Sequence, residues 1–155
     1  MLKYGLYIHG DRSTPTKMFG WTGPELQNDV FLVRGPYNMM SIFMRVLITP
    51  KGEVIGRPNE GTELLDMISE GSAGDSSELQ GRLSEILDDA FEQTQQIQQN
   101  YARDNELPAD EILVSYRIAN FFASSDGEVS RASIELANAA GQTVSGLIPL
   151  AAYTL

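Results

Sequence analysis

The sequence has no cysteine and one histidine, and this excludes several common kinds of site. Without cysteine there can be no disulfide and no thiolate-ligated zinc or iron–sulfur centre. With His9 as the single imidazole, a metal site built from several histidines is excluded as well. The absence of cysteine fits a protein that folds in a reducing compartment.

Basic residues are also scarce, and the charge balance argues against nucleic acid as a partner. The chain has 11 Lys and Arg against 21 Asp and Glu, a formal net charge of −10. Binding to a phosphate backbone depends on clustered Lys and Arg, and no such cluster occurs in the sequence. An acidic surface is also a common route to solubility, so the charge by itself identifies no partner.

Long apolar runs are missing too. No segment approaches the ~20 apolar residues of a transmembrane helix, and residues 1–12 lack the basic-then-apolar pattern of a secretory signal. We therefore expect no membrane association. At 155 residues the chain has the length of one ordinary domain, which buries roughly 70% of its unfolded surface without cross-links.

Patterns typical of catalysis are largely absent. The 14 glycines form neither GxGxxG nor GxxxxGK[ST], so no phosphate-binding loop is indicated. We interpret His9 as a surface or turn histidine rather than a general base. We expect no catalytic, cofactor-binding or metal-binding residue. One alternative stays open, a wall-degrading hydrolase that would use carboxylates spaced along the polar side of one helix: Glu85, Asp88, Asp89 and Glu92.

Helical spacing of apolar residues predicts three helices in the middle of the chain, Pro36–Ile48, Thr62–Ser69 and Ser77–Arg103. The last would be about 40 Å long, with a charged and glutamine-rich outer face. A small core cannot cover that length, so we expect its far end to meet a partner. Three methionines of the first helix are expected in the core, with a Met-rich interaction face as the alternative: Met39, Met40 and Met44.

Strand patterns flank the helices. Residues 2–8 and 29–34 are predicted as short strands on either side of a Gly- and Pro-rich loop. Three more strands are predicted at 112–122, 129–136 and 143–153, joined by turns at 125–127 and 138–141. We therefore predict one α+β domain, 1–155, with a docking arm or extension at 1–28, a mainly helical part at 29–110 and a three-stranded antiparallel sheet at 111–155.

One stretch of sequence matches a family pattern. An apolar helix runs into Thr49-Pro50-Lys51-Gly52-Glu53, and Arg57-Pro58 followed by Gly61 then precedes a short helix. This stretch resembles the baseplate wedge proteins that initiate the sheath of contractile phage tails. The later elements are similar to that family in their order, through a last strand that ends Ile148-Pro149-Leu150, so the resemblance covers residues 30–150.

The resemblance implies a structural role with neither substrate nor cofactor. The family's carboxy-terminal sheet is similar to the strand-swapping domain of sheath subunits and templates the first sheath ring. A terminal strand offers such a partner an edge of unpaired N–H and C=O groups. The resemblance implies these partner-binding residues here: Lys51, Gly52, Glu53, Arg57, Pro58, Gly61, Thr143, Val144, Ser145, Leu147, Ile148, Pro149 and Leu150.

The implied location is the virion tail baseplate, assembled in the host cytoplasm. The implied partners are other baseplate wedge proteins and the tail sheath protein, with several copies of the chain, six by expectation, arranged in a ring. Neither nucleic acid nor membrane is an expected partner. The equivalent component of a related contractile injection or secretion system stays open, because its sequence would look alike.

Two parts of the chain depart from the family. Members carry Glu-Pro-Arg between the long helix and the first sheet strand. This chain has Leu107-Pro108-Ala109-Asp110-Glu111 there, which keeps the proline and lacks the arginine. The first 28 residues have no counterpart in the family, which is why we interpret them as a docking arm.

Overall fold

The computed structural model describes residues 8–9, 34–70, 76–123 and 129–150. The helices and strands follow one another in this order: β1 (Ile8–His9), α1 (Pro36–Ile48), α2 (Leu64–Ser69), α3 (Ser76–Ala102), β2 (Leu113–Ala123), β3 (Val129–Asn138) and β4 (Thr143–Pro149). The predicted α+β class is confirmed, since the helices precede an antiparallel meander of β2, β3 and β4.

Most predicted boundaries agree with the structure within two residues. Several predictions lie outside the described residues: the loop at 10–28, most of the strands at 2–8 and 29–34, the turn at 125–127 and the end of the chain after Leu150. Within the described part of the chain, no helix is both long and apolar enough to cross a membrane.

The sheet includes a strand whose place the sequence pattern did not predict. β1 pairs antiparallel with β4, with Ile8 opposite Gly146 and His9 opposite Ser145, so the strand order is β1-β4-β3-β2. His9 therefore lies in a strand at the sheet edge. The β3–β4 register runs without a shift, whereas the β2–β3 register shifts at three places.

Helix α1 begins at Pro36, whose fixed φ and missing N–H suit the first helical turn. Its N-cap, Gly35, has no side chain to cap the helix, and a distant carboxylate takes that role. The Gly35 N–H donates to Glu111 Oε1 at 2.9 Å, and Asn38 Nδ2 donates to Glu111 Oε2 at 2.6 Å. The helix ends at Ile48 because Thr49 is extended and Pro50 cannot continue a helix.

The core lies between the inner face of the sheet and helices α1 and α3. Met39 and Met40 are 0% exposed and Met44 is 3% exposed, so the core interpretation of the methionines is confirmed. At Gly146 the helix comes so near that an added Cβ would lie 3.2 Å from Met40 Cε. Each fully buried aliphatic side chain stabilises the fold by roughly 1.5–3 kcal/mol, and those of α3 and the sheet include Leu83, Leu87, Ile134, Leu136 and Ile148.

Candidate functional site

The 49–62 loop joins α1 to α2 and carries six of the predicted partner-binding residues. Its two arms lie side by side: the Thr62 N–H donates to Thr49 O at 2.8 Å, and the Lys51 N–H donates to Thr62 O at 3.2 Å. Near the tip, the Arg57 N–H donates to Val54 O and the Glu60 N–H donates to Arg57 O, both at 3.0 Å. The loop therefore has its own backbone hydrogen bonds and a defined shape.

The side chain of Gln93, on α3, holds this loop against the body of the protein with two hydrogen bonds. Gln93 Oε1 accepts the Gly61 N–H at 2.9 Å, and Gln93 Nε2 donates to Gly61 O at 2.9 Å. Gln93 Nε2 also donates to Asp89 Oδ1 at 2.9 Å. Asp89 Oδ2 in turn lies 3.4 Å from Lys51 Nζ, an exposed ion pair of a kind that contributes at most about 1 kcal/mol.

Gly61 is needed for the conformation of the loop. It is buried and has φ +100°, a backbone conformation that favours glycine. A Cβ at this position would lie 2.7 Å from Pro50 O and would also collide with Thr49 O. The other five predicted residues of the loop are exposed and accessible to a partner: Lys51, Gly52, Glu53, Arg57 and Pro58.

The residues predicted on the last strand divide between the two faces of β4. Val144, Ile148 and Leu150 point into the core and are at most 6% exposed. Their side chains are therefore used by the fold itself. The side chains on the other face are exposed or half-buried: Thr143, Ser145, Leu147 and Pro149. A partner that binds at β4 has access to this face and to the backbone edge.

The two outer strands of the β2–β4 meander differ in regularity. β4 forms one edge of the meander, and the described part of β1 covers it at two residues, Ser145 and Gly146. β2 forms the other edge, and no described strand pairs with its outer side. The three register shifts of β2 make that edge irregular, and bulges of this kind hinder the addition of a further strand. The regular edge belongs to β4.

Two of the four carboxylates that a hydrolase would use have partners within the fold. The Tyr116 hydroxyl donates to Asp88 Oδ1 at 2.6 Å, and Asp89 accepts from Gln93 and Lys51. Burial, the hydrogen bond to Asp88 and the negative charge of Asp88 together raise the pKa of Tyr116 well above its usual 10.0. Glu85 and Glu92 are exposed. Among the described residues no group of three His, Asp or Glu side chains is placed to hold a metal ion.

Two glutamines of α3, Gln93 and Gln98, do not lie on the exposed outer face where the sequence predicted the glutamines of this helix. Gln93 is half-buried at the loop, and Gln98, only 4% exposed, holds the junction before β2. Gln98 Nε2 donates to Glu111 O at 2.6 Å, and Gln98 Oε1 accepts the Leu113 N–H at 3.0 Å. A primary amide can accept a hydrogen bond from a backbone N–H and donate one to a backbone C=O at the same time. It can therefore supply both hydrogen bonds to a non-helical segment that lies against a helix.

Asn138 holds the same junction from the opposite side. Its Nδ2 donates to Asp110 O at 2.8 Å and its Oδ1 accepts the Gln142 N–H at 2.8 Å. The segment of residues 107–111 is thus held by Gln98, Asn138 and the carboxylate of Glu111. None of these three roles was predicted from the sequence. The one signal there was the spacing of Gln98, four residues after Thr94, which places it on the apolar side of α3.

No protein-family model matches the chain, and neither does any curated protein or solved structure.

Proposed function

We propose that this chain is a structural component of a contractile-tail baseplate wedge, without enzymatic activity. In this role it binds neighbouring wedge proteins and templates the first sheath ring by strand addition. The observation that carries the proposal is the 49–62 loop. The residues on which the resemblance depends form a hydrogen-bonded projection there, with Lys51, Glu53, Arg57 and Pro58 on its surface.

The geometry of the loop suits an assembly contact. Gln93 and Gly61 hold the loop against α3, so it loses little conformational freedom on binding. The ion pair between Arg57 Nη1 and Glu60 Oε2, 3.0 Å apart, orders the tip further. Groups that are ordered before binding raise affinity because less entropy is lost in the complex.

The regular edge of β4 supports strand addition as the contact with the sheath. Within the described residues its outer side is paired only with Ile8 and His9. An incoming strand would have to displace few hydrogen bonds, each worth about 0.5–1.5 kcal/mol net. Although each pairing is weak, the overall affinity becomes high when a ring of copies presents several strand edges at once.

Quantitative peptide mass spectrometry of purified contractile tails tests the proposal. The tails come from the source that encodes this chain, and peptides of the chain are compared with those of the tube and sheath subunits. We expect a low, fixed ratio, as one ring of copies requires. If the chain is absent from intact tails, the proposal is wrong.

Hydrogen–deuterium exchange tests strand addition separately. The purified chain is mixed with the sheath protein from the same tails, and exchange of the backbone amides of residues 143–148 is measured. We expect slower exchange there and unchanged exchange in β2. Equal exchange with and without sheath protein would exclude β4 as the docking edge. Truncation is unsuitable as a test, because removing β4 also removes Ile148 from the core.

A further inference from the structure

We propose that Ile55 is the residue by which the 49–62 loop anchors in an apolar pocket of a neighbouring protein. The inference deepens the proposed function and depends on it, since the neighbour is another protein of the tail. Ile55 is absent from the residues that the family resemblance implies, and only the structure draws attention to it.

The exposure of Ile55 is extreme. Ile55 is 99% exposed, whereas the other exposed large apolar residues of the described part of the chain keep about half or more of their surface covered: Tyr101 is 53% exposed, Val114 51%, Ile48 48%, Phe122 45% and Leu147 36%. A single exposed apolar side chain is ordinary on a protein surface. The position of this one, at the tip of an ordered projection, is the unusual feature.

The backbone around Ile55 is held on both sides. Val54 O accepts the Arg57 N–H at 3.0 Å, which closes a turn around Ile55 and Gly56. Gly56 has φ +80° and nothing within 4 Å of an added Cβ, so the turn stands clear of the rest of the protein. A β-branched side chain also has few rotamers to lose. An ordered tip and a stiff side chain reduce the entropy lost on insertion into a pocket.

The charges of the loop favour a protein pocket over a lipid surface. Its two cations are paired, Lys51 with Asp89 and Arg57 with Glu60, and Glu53 next to the tip adds a negative charge. Stable binding to an anionic membrane needs unpaired basic residues or a larger apolar face. One isoleucine on a neutral to acidic loop provides neither, whereas a pocket of matching size in a protein can bury it completely.

The test compares variants of the full chain in the phage or strain that encodes it. Tails are purified, and the ratio of this chain to the sheath subunit is measured by peptide mass spectrometry. Ile55→Asp places a charge in the proposed pocket, Ile55→Ala removes the side chain, and Ile55→Leu keeps an apolar side chain of equal volume. Gln80→Asp, at an exposed position near the start of α3 and away from the far end that is expected to meet a partner, is the matched control for one added negative charge.

We expect incorporation of Ile55→Asp and Ile55→Ala to fall at least about tenfold, the loss that burial of an aliphatic side chain predicts. Ile55→Leu and Gln80→Asp should incorporate as the wild type does. The thermal unfolding midpoints of the purified variants should agree with that of the wild type, because Ile55 makes no core contact. Ile55→Ala adds no charge and keeps the test valid should the aspartate disturb the loop.

Three results would overturn the inference, and they are distinguishable. If the wild type is in the tails and Ile55→Asp and Ile55→Ala incorporate equally well, Ile55 is not an anchor although the proposed function stands. If the wild type is absent from the tails, the proposed function and this inference both fail. If the wild type floats with vesicles of phosphatidylcholine and phosphatidylglycerol and Ile55→Asp does not, the tip binds lipid instead.

Discussion

Replacing Gln93 by alanine should detach the 49–62 loop from α3. The substitution removes the acceptor of the Gly61 N–H and the donor to Gly61 O, two hydrogen bonds of 2.9 Å each. Gly61 is buried, so solvent cannot readily replace these partners unless the loop moves. We therefore expect a clear loss of stability from a side chain that a helical pattern places among surface glutamines.

The magnitude follows from the groups left without partners. Two hydrogen bonds at about 0.5–1.5 kcal/mol each give a loss of roughly 1–3 kcal/mol. Alanine has the better helix propensity, and this offsets a few tenths of a kcal/mol. The net expectation is roughly 1–2.5 kcal/mol, which for a chain of this length lowers the thermal unfolding midpoint by about 3–8 °C.

Urea unfolding followed by far-UV circular dichroism measures the change in the free energy of unfolding. Gln96→Ala is the matched control, because Gln96 is exposed on the same helix and forms no such bonds. Gln93→Met separates hydrogen bonding from packing, since methionine fills a similar volume without an amide. It should lose nearly as much stability as Gln93→Ala.

Hydrogen exchange at the Gly61 amide provides a local readout. If the loop opens without global unfolding, exchange there should accelerate about tenfold for each 1.4 kcal/mol lost. Should Gln93→Ala and Gln96→Ala differ by less than about 0.5 kcal/mol, with equal exchange at Gly61, the loop does not depend on Gln93. The account of a loop ordered by α3 would then be wrong.

Three further predictions concern single polar groups. Glu111→Ala should destabilise the protein by about 1–2 kcal/mol in urea unfolding, because α1 loses its cap. Glu111→Gln should lose less stability, because glutamine retains an acceptor oxygen. Equal losses in the two variants would contradict the capping role. Thr94→Val should be neutral or stabilising by up to about 1 kcal/mol, because the Thr94 hydroxyl is buried and has no hydrogen-bond partner among the described residues. A loss above about 1 kcal/mol in urea unfolding would show that the hydroxyl has a partner. The fold holds the pKa of Tyr116 above 10.0, so the unfolded chain ionises first as the pH rises, and stability that is complete below about pH 10 should decline above it. In Tyr116→Phe this part of the decline should be missing when urea unfolding is compared at about pH 9 and about pH 11; parallel losses in both proteins would refute the shift.

Much of the fold could be predicted from the sequence because its signals are local. The apolar spacing of α1 and the long run of α3 reflect one buried face of each helix, and Pro36 and Pro50 mark the limits of α1. Runs rich in apolar and aromatic residues, bounded by turn signals, likewise predicted the strands of the meander. Burial of one face imposes a period on the sequence, and a period can be recognised without knowledge of the partner surface.

The candidate site was only half predictable. The motif identified the 49–62 loop, and Gly61 was included in it, but the reason for Gly61 became clear only from its contact with Pro50 O. On β4 the sequence implied a run of partner-binding residues. The alternation of the strand turns Val144 and Ile148 inward, and only the packed sheet shows which face of the strand each residue occupies.

By itself, the sequence determined the fold class, the order of the helices and strands and the exclusion of cysteine-based sites, because composition and periodicity carry this information. Only the tertiary structure decided that Glu111 caps a helix 76 residues away, that Gln93 holds the loop and that β1 joins the edge of β4. These contacts join segments remote along the chain. The sequence tells which hydrogen bonds a polar side chain can donate or accept. Its actual partner depends on which backbone groups lie within hydrogen-bonding distance once the core has packed.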